Sequence, residues 1–367
     1  MITAGFLREH IDVAFERGKF DDHPVQTPWP LVDEIVNQID IMDSVLVLYN
    51  PEFVWAMHER GWDLASITLF ADCESKKKWA NKIGIKYITD LEGLDMKFDV
   101  VVGNPPYEGN KALHQQFFVK ACKLLKDGGE MMFIQPASPY VNNKDVKRKK
   151  PEVEMLDLVA QYETHVNIIT EKVFNNAHVA TDLAVTHLTK KSGQLAVQYN
   201  GGQKYTDVTI NEINALTIEP KVFAKLKSKF AALVELRGSL DDNLWCGNDQ
   251  LKLRLQQNRG NRGSADYNTF ISKDSKFWHS EGDFGIPLEH EGQRANVVSY
   301  LKTFVARFAL AISKLNMSMN RGELTQVPLV DFDQSWDDEK LCKEFGITDD
   351  EYAVIRSVIP TYYEDVQ

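Results

Sequence analysis

The chain has 367 residues, 43% of them hydrophobic, and a formal net charge of −11; that length exceeds one ordinary domain and predicts two, each with enough apolar residues for a core. No apolar run approaches the roughly 18 residues of a membrane span and the N-terminus does not read as a signal peptide, which predicts a cytoplasmic protein with no membrane partner. Cys73, Cys122, Cys246 and Cys342 lie far apart with no Cys-x-x-Cys pair, which argues against a disulfide framework and against a structural metal.

Residues 1–23 read as a polar helical lead-in. At Thr27-Pro28-Trp29-Pro30 a helix begins, with Thr27 able to cap it, proline in its first turn, and Leu31, Ile35 and Ile39 at helical spacing. Residues 44–49 form a short buried strand and 51–61 the helix after it; the intervening Tyr49-Asn50-Pro51-Glu52-Phe53 contains no glycine. A second strand over 66–71 ends at Asp72. A carboxylate there suits two ribose hydroxyls in a dinucleotide-type fold, and an acid in a strand-to-helix turn is equally a good helix cap. A third strand, 86–88, leads to Thr89-Asp90, and a fourth, 98–102, is apolar and β-branched. The alternation predicts a doubly wound, mostly parallel α/β sheet, in which ligands gather at the C-terminal ends of the strands.

That edge of the fourth strand carries Asn104-Pro105-Pro106-Tyr107. Two prolines fix φ and remove two donors, so the loop is stiff and its carbonyls point outward. The Asn104 side-chain oxygen and the Pro105 carbonyl can both accept from one amino group, and Tyr107 offers a ring on which a planar base can stack. The plainer reading is a Pro-Pro turn with Asn as a cap and Tyr as packing. Next come a helix over 113–125, closed by Lys126-Asp127-Gly128-Gly129, and a strand over 130–135. Residues 142–150 are basic, and Lys147, Arg148 and Lys149 suit phosphates better than packing, a solvated loop being the alternative. Strands over 166–170 and 182–189 close the sheet, with Val173-Phe174 between them. Residues 193–202 read as a polar linker between a first domain, 1–192, and a second, 203–367. In the second domain, 221–236 reads as a helix, Arg259 and Arg262 lie in a glycine-rich basic loop suited to a nucleic-acid backbone, and 296–315 reads as one long apolar helix. Residues 331–367 hold eleven acidic side chains against three basic ones, so most of the net charge is a C-terminal feature.

The tetrad Asn104-Pro105-Pro106-Tyr107 resembles the catalytic motif of S-adenosylmethionine-dependent amino-methyltransferases, above all the gamma-class, Taq-type N6-adenine DNA methyltransferases of restriction-modification or phage type. The segment from Thr27 and Pro28 to Leu31 and Val32 resembles the cofactor motif that precedes the sheet in that class, and residues 327–351 resemble the C-terminal end of restriction-modification methylases. The resemblance implies a Rossmann-like methyltransferase fold with a C-terminal target-recognition domain. It also implies S-adenosyl-L-methionine as cofactor, double-stranded DNA as partner, and a flipped adenine as target. Catalytic roles fall on Asn104, Pro105, Pro106 and Tyr107, base stacking on Tyr107 and Phe174, and cofactor contacts on Thr27, Pro28, Tyr49, Asn50, Asp72, Asp90 and Asn104. A monomer is expected, with any restriction endonuclease encoded separately. The family's glycine-rich loop is missing, so Asn50 and the helix after it would carry cofactor binding, or that binding would be weakened. An RNA methyltransferase, a release-factor glutamine methyltransferase and a non-catalytic DNA-binding relic stay open as alternatives.

Overall fold

The computed structural model describes residues 27–107, 113–141, 148–170, 173–174, 182–241, 252–255, 284–290, 292–313 and 321–360. The chain divides into two units, Met1–Tyr140 with Val146–Ile210, and Val141–Asp145 with Asn211–Gln367. The lead-in over 1–23 lies outside the described residues.

In the first unit the apolar, β-branched runs become strands because both faces of the sheet are covered. They are β1 (Val45–Leu48), β2 (Ile67–Phe70), β3 (Lys86–Ile88), β4 (Phe98–Gly103), β5 (Leu125–Pro136), β6 (Tyr162–Ile169), β7 (Leu183–Ser192), β8 (Leu195–Tyr199) and β9 (Lys204–Tyr205). The order across the sheet is β3-β2-β1-β4-β5-β7-β6-β8-β9. The first five in that order are parallel, whereas β7 runs antiparallel to both neighbours. Chain order reverses between β1 and β4, which makes the C-terminal ends of those two strands the switch point of a doubly wound sheet. Helices α1 (Trp29–Asn37), α2 (Pro51–Glu59) and α3 (Glu74–Ile83) connect this half. Ile35 of α1, Phe53 of α2 and Ala80 of α3 bury against Val45, Val47, Val100 and Val102 in one core cluster. On α4 (Leu113–Leu124), Phe118 packs against Phe133 of β5, ring centroids 5.7 Å apart.

Gly103 is required where β1 and β4 end. A Cβ there would stand 2.6 Å from the Leu48 carbonyl oxygen and 2.7 Å from its Cβ, so only glycine permits the Leu48–Gly103 pairing that immediately precedes the tetrad.

Several expectations change. Thr27 does not cap α1: Pro28 occupies the cap position without a side-chain bond, and its carbonyl accepts from Leu31 and Val32. Strand β5 starts at Leu125, directly after α4, and Gly128 at φ 78 kinks it where the sequence predicts a helix-closing turn. Residues 193–202 are not a linker. Leu195, Ala196 and Val197 are buried in β8, which pairs in parallel with β6, and Asn200-Gly201, both at positive φ, turn the chain into β9. The boundary between units falls near residue 210.

The second unit surrounds a separate apolar core. It contains α6 (Pro220–Arg237), which follows α5 (Lys150–Gln161) of the first unit, then α7 (Gln293–Lys302), α8 (Phe304–Ser313), α9 (Asp338–Phe345) and α10 (Asp349–Val358). A two-stranded antiparallel pair, Lys252–Leu255 with Phe284–Pro287, accompanies them. The expected single helix over 296–315 is two, α7 and α8, bent by 66°. Thr303 adopts extended backbone at the break and its Oγ1 accepts from the Ala306 amide at 3.1 Å, while the Asp338 carboxylate accepts from Phe304 and Val305. The acids near the C-terminus therefore cap helices: Asp337 caps α9, Asp338 caps α8, and Thr348 with Glu351 forms a capping box on α10.

Candidate active site

The tetrad leaves β4 at the switch point, and the bonds that hold it come from segments far away in sequence. Asn104 is 3% exposed. Its backbone N–H donates to Asn50 Oδ1 (3.3 Å), its Nδ2 donates to Thr27 Oγ1 (3.2 Å), and its Oδ1 accepts from the Tyr107 hydroxyl. Thr27 is held in turn, its backbone N–H donating to Glu52 Oε1 at 3.0 Å. Thr27, Asn50 and Glu52 are fully buried. Burial pushes the Glu52 carboxyl up to about 7, only partly offset by the backbone amides of Glu52 and Thr27. Among the described residues two polar atoms of this group make no hydrogen bond of ordinary geometry, Asn50 Nδ2 and Glu52 Oε2, although the Asn50 side chain is near enough to lower the Glu52 carboxyl. Tyr107 is half-buried, packs against the same core cluster, and lies edge-on to the His114 ring at 6.3 Å. Burial holds that imidazole down to about 4, so it is neutral, and among the described residues it is bonded at neither nitrogen.

The expected cofactor residues share one edge. Pairings Leu48–Phe70, Phe70–Ile88 and Leu48–Gly103 align the ends of four parallel strands, bringing Tyr49, Asn50, Asp72, Asp90 and Asn104 to the same side of the sheet. The loop after β1 makes a glycine-like turn without glycine: Tyr49 sits at φ 69, a conformation that costs a non-glycine residue about 1–3 kcal/mol. Its ring offsets that cost by packing edge-on against Phe70 (5.0 Å) and Phe117 (5.1 Å), under the Lys76 ammonium at 4.8 Å. Asp72 is not a cap, since Cys73 takes that position of α3; its Oδ1 accepts from the buried Lys76 Nζ at 2.7 Å. Asp90 Oδ1 accepts from the Glu92 amide at 2.9 Å, and Pro28 contributes only the start of α1.

The remaining candidates are placed differently from one another. Phe174 is 3% exposed, inside the core cluster against which Tyr107 packs, so its ring faces no open slot here. Arg148 donates to the Pro139 carbonyl (2.8 Å) and to Glu152 (2.5 Å), which commits its guanidinium to α5. Lys149 is the cap residue of that helix. Lys147, Arg259 and Arg262 lie outside the described residues. Sequence reasoning gave no role in the tetrad to Glu52, because an acid in the first turn of a helix is already explained by the helix dipole. Nothing local shows that it reaches back to Thr27. Lys76, Phe70 and Phe117 were missed because their packing on Tyr49 is a tertiary contact that no local pattern shows.

Residues 57–174 match the family model Eco57I restriction-modification methylase. That stretch runs from α2 to Phe174 and contains the whole tetrad. Among solved structures, the chain is similar to the type I restriction-modification methyltransferase subunit of Streptococcus thermophilus, at 16% identity over 51% of this chain and 48% of that one, TM-score 0.37. It is similar also to the M protein of the type I restriction enzyme EcoKI, at 14% identity over 49% of each chain, TM-score 0.36. A 16S rRNA methyltransferase of T. thermophilus aligns at 15% identity over 60% of this chain and 54% of that one, TM-score 0.30. The chain thus spans about half the length of the type I subunits it matches. No curated protein sequence matches it.

Proposed function

We propose that the chain is an S-adenosylmethionine-dependent DNA methyltransferase acting on the N6 amino group of adenine in a specific duplex sequence, with the target base flipped out of the helix. The observation that carries this reading is the tetrad itself, at the switch point of a doubly wound sheet and within the segment that matches a restriction-modification methylase. Asn104 Oδ1 and the Pro105 carbonyl accept the two amino hydrogens, which localises the nitrogen lone pair and aims it. Tyr107 gives up its bond to Asn104 and stacks its ring on the base, with Phe174 as the second ring once the base has entered. Flipping costs a few kcal/mol of unstacking, recovered in these contacts. Catalysis is then positioning and hydrogen bonding.

The residues present fit the cofactor. Asn50 Nδ2 and Glu52 Oε2, two residues apart in sequence, make no hydrogen bond of ordinary geometry among the described residues, although the Asn50 side chain is near enough to lower the Glu52 carboxyl; they leave a donor and an acceptor for a ligand end that carries both a carboxylate and an ammonium. Asp72 would take the ribose hydroxyls and Asp90 the adenine amino group, with Tyr49 beside them. When bound, the cofactor supplies a methyl group activated on a sulfonium. The second unit serves as target-recognition domain, with Arg259 and Arg262 as phosphate contacts and Lys147 and Lys149 of the first unit as further ones, and the protein acts as a monomer beside any separately encoded nuclease.

One observation favours a second reading. Lys76 already holds Asp72, which places a cation beside the carboxylate that the ribose needs and would suit a DNA-binding protein that no longer takes the cofactor. Incubation with methyl-labelled S-adenosylmethionine and, separately, duplex DNA, RNA and release factor distinguishes the readings. Label in DNA supports the proposal, and absence of label together with absence of cofactor binding by calorimetry supports the relic.

A further inference from the structure

We propose that Thr27 is a positioning residue for the catalytic carboxamide: its hydroxyl, fixed in place through Glu52, holds the Asn104 side chain in line while the target amine displaces Tyr107. This rests on the reading of the tetrad given above. Asn104 has two side-chain partners, and they differ in what catalysis asks of them. The Tyr107 hydroxyl occupies Oδ1, the atom that must accept from the amine, so that bond has to open. The Thr27 hydroxyl is on Nδ2 at 3.2 Å, the end of the amide that the amine does not use, so that bond can persist. Without it, the carboxamide would be free to rotate about its last torsion at the moment its alignment matters, because terminal torsions of this kind are broad.

Thr27 is itself clamped from both sides. Its N–H donates to Glu52 Oε1, and the following Pro28 keeps it extended. The clamp spans the fold: 77 residues separate Thr27 from Asn104 and 25 separate it from Glu52, so the segment ahead of the sheet, the start of α2 and the tetrad are tied into one unit. Asn50 completes it by accepting from the Asn104 backbone N–H. Asn50 Nδ2 and Glu52 Oε2, which make no hydrogen bond of ordinary geometry among the described residues, lie on the same two side chains. Ligand held by them and amide held by Thr27 would therefore share supports. Thr27, placed among the cofactor contacts by resemblance, directs its hydroxyl at the catalytic amide instead.

The test uses the full chain with 15N-labelled asparagine. The Asn104 side-chain amide pair, identified by its loss in Asn104→Asp, is expected to shift in Thr27→Val, which removes the hydroxyl at nearly constant volume, and to return in Thr27→Ser. In parallel, Thr27→Val should lower kcat for methyl transfer to duplex DNA about 100-fold, the scale expected for a misaligned reacting group, with the S-adenosylmethionine Kd within about twofold. Thr27→Ser should recover most of the rate. An amide pair unmoved in Thr27→Val overturns the proposal, as does a loss carried by cofactor Kd with kcat unchanged. If the parent protein transfers no methyl group to DNA, the proposed function fails and the amide signals alone decide whether Thr27 holds Asn104.

Discussion

Asn104 spends both side-chain atoms on partners inside the protein, and the chemistry asked of it differs for each. Replacing it with alanine should cost several orders of magnitude in methyl transfer, within the range for loss of an oriented polar group at a reacting centre, and calorimetry should find cofactor affinity intact. Tyr107→Phe keeps the ring and removes the hydroxyl that occupies Asn104 Oδ1, so transfer should proceed at the parental rate or faster, whereas Tyr107→Ala should be slow and partly recovered on a mismatched target base. Equal loss in both Tyr107 variants would mean that the hydroxyl, and not the ring, is what matters.

Glu52 gives a pH signature. Its folded value of about 7 lies above its ordinary 4.5, so between those values the folded chain binds more protons than the unfolded one. Stability from the neutral carboxyl is therefore complete below that window and is lost as pH rises through it, by about 3 kcal/mol at most. Burial of His114 acts in the opposite direction over part of the range, with its imidazole at about 4, but it is common to parent and variant. Urea titrations at pH 5 and pH 8 should show Glu52→Gln gaining on the parent as pH rises. Parallel profiles would mean that Glu52 is charged in the folded protein. The tetrad was legible because it is contiguous and its prolines announce a stiff loop. Glu52 and Thr27 were not, since their link is a tertiary contact between residues that each have a sufficient local explanation.

At the scale of elements, the close pairing of β1 and β4 delivers the tetrad. Gly103→Ala places a methyl carbon 2.6 Å from a backbone oxygen, which only a shift of one strand can relieve, so the variant should lose about 1–3 kcal/mol of stability and also slow methyl transfer. A variant as stable and active as the parent would show that the strands separate there without consequence. Strands β1 to β4 and helices α1, α2 and α4 were readable from apolar runs and helical spacing, which are local signals. Strand β8 was not, because Lys190 to Gln194 and Gly201-Gly202 dilute a short apolar core, Leu195 to Val197, whose burial comes only from pairing with β6. Continuous apolar composition likewise hid the break at Thr303, which depends on Asp338, more than 30 residues away.

For the whole molecule, the net charge of −11 would argue against a nucleic-acid partner if it were spread evenly. It is concentrated in the second unit's last helices, where Asp337, Asp338 and Glu351 bond backbone amides and Glu351 also takes Lys229 at 2.6 Å. Those three acids serve the fold of the second unit. Two units were foreseeable from length, but their boundary near residue 210 was not, since it depends on where β8 and β9 join the sheet. The central claim is the transfer of a methyl group to adenine N6 in DNA. Duplex DNA incubated with the full chain and methyl-labelled S-adenosylmethionine, then digested to nucleosides and separated, should carry its label in N6-methyladenine for the parent and lose it for Asn104→Ala. Label that persists in Asn104→Ala, or that lies in another nucleoside, would contradict the account.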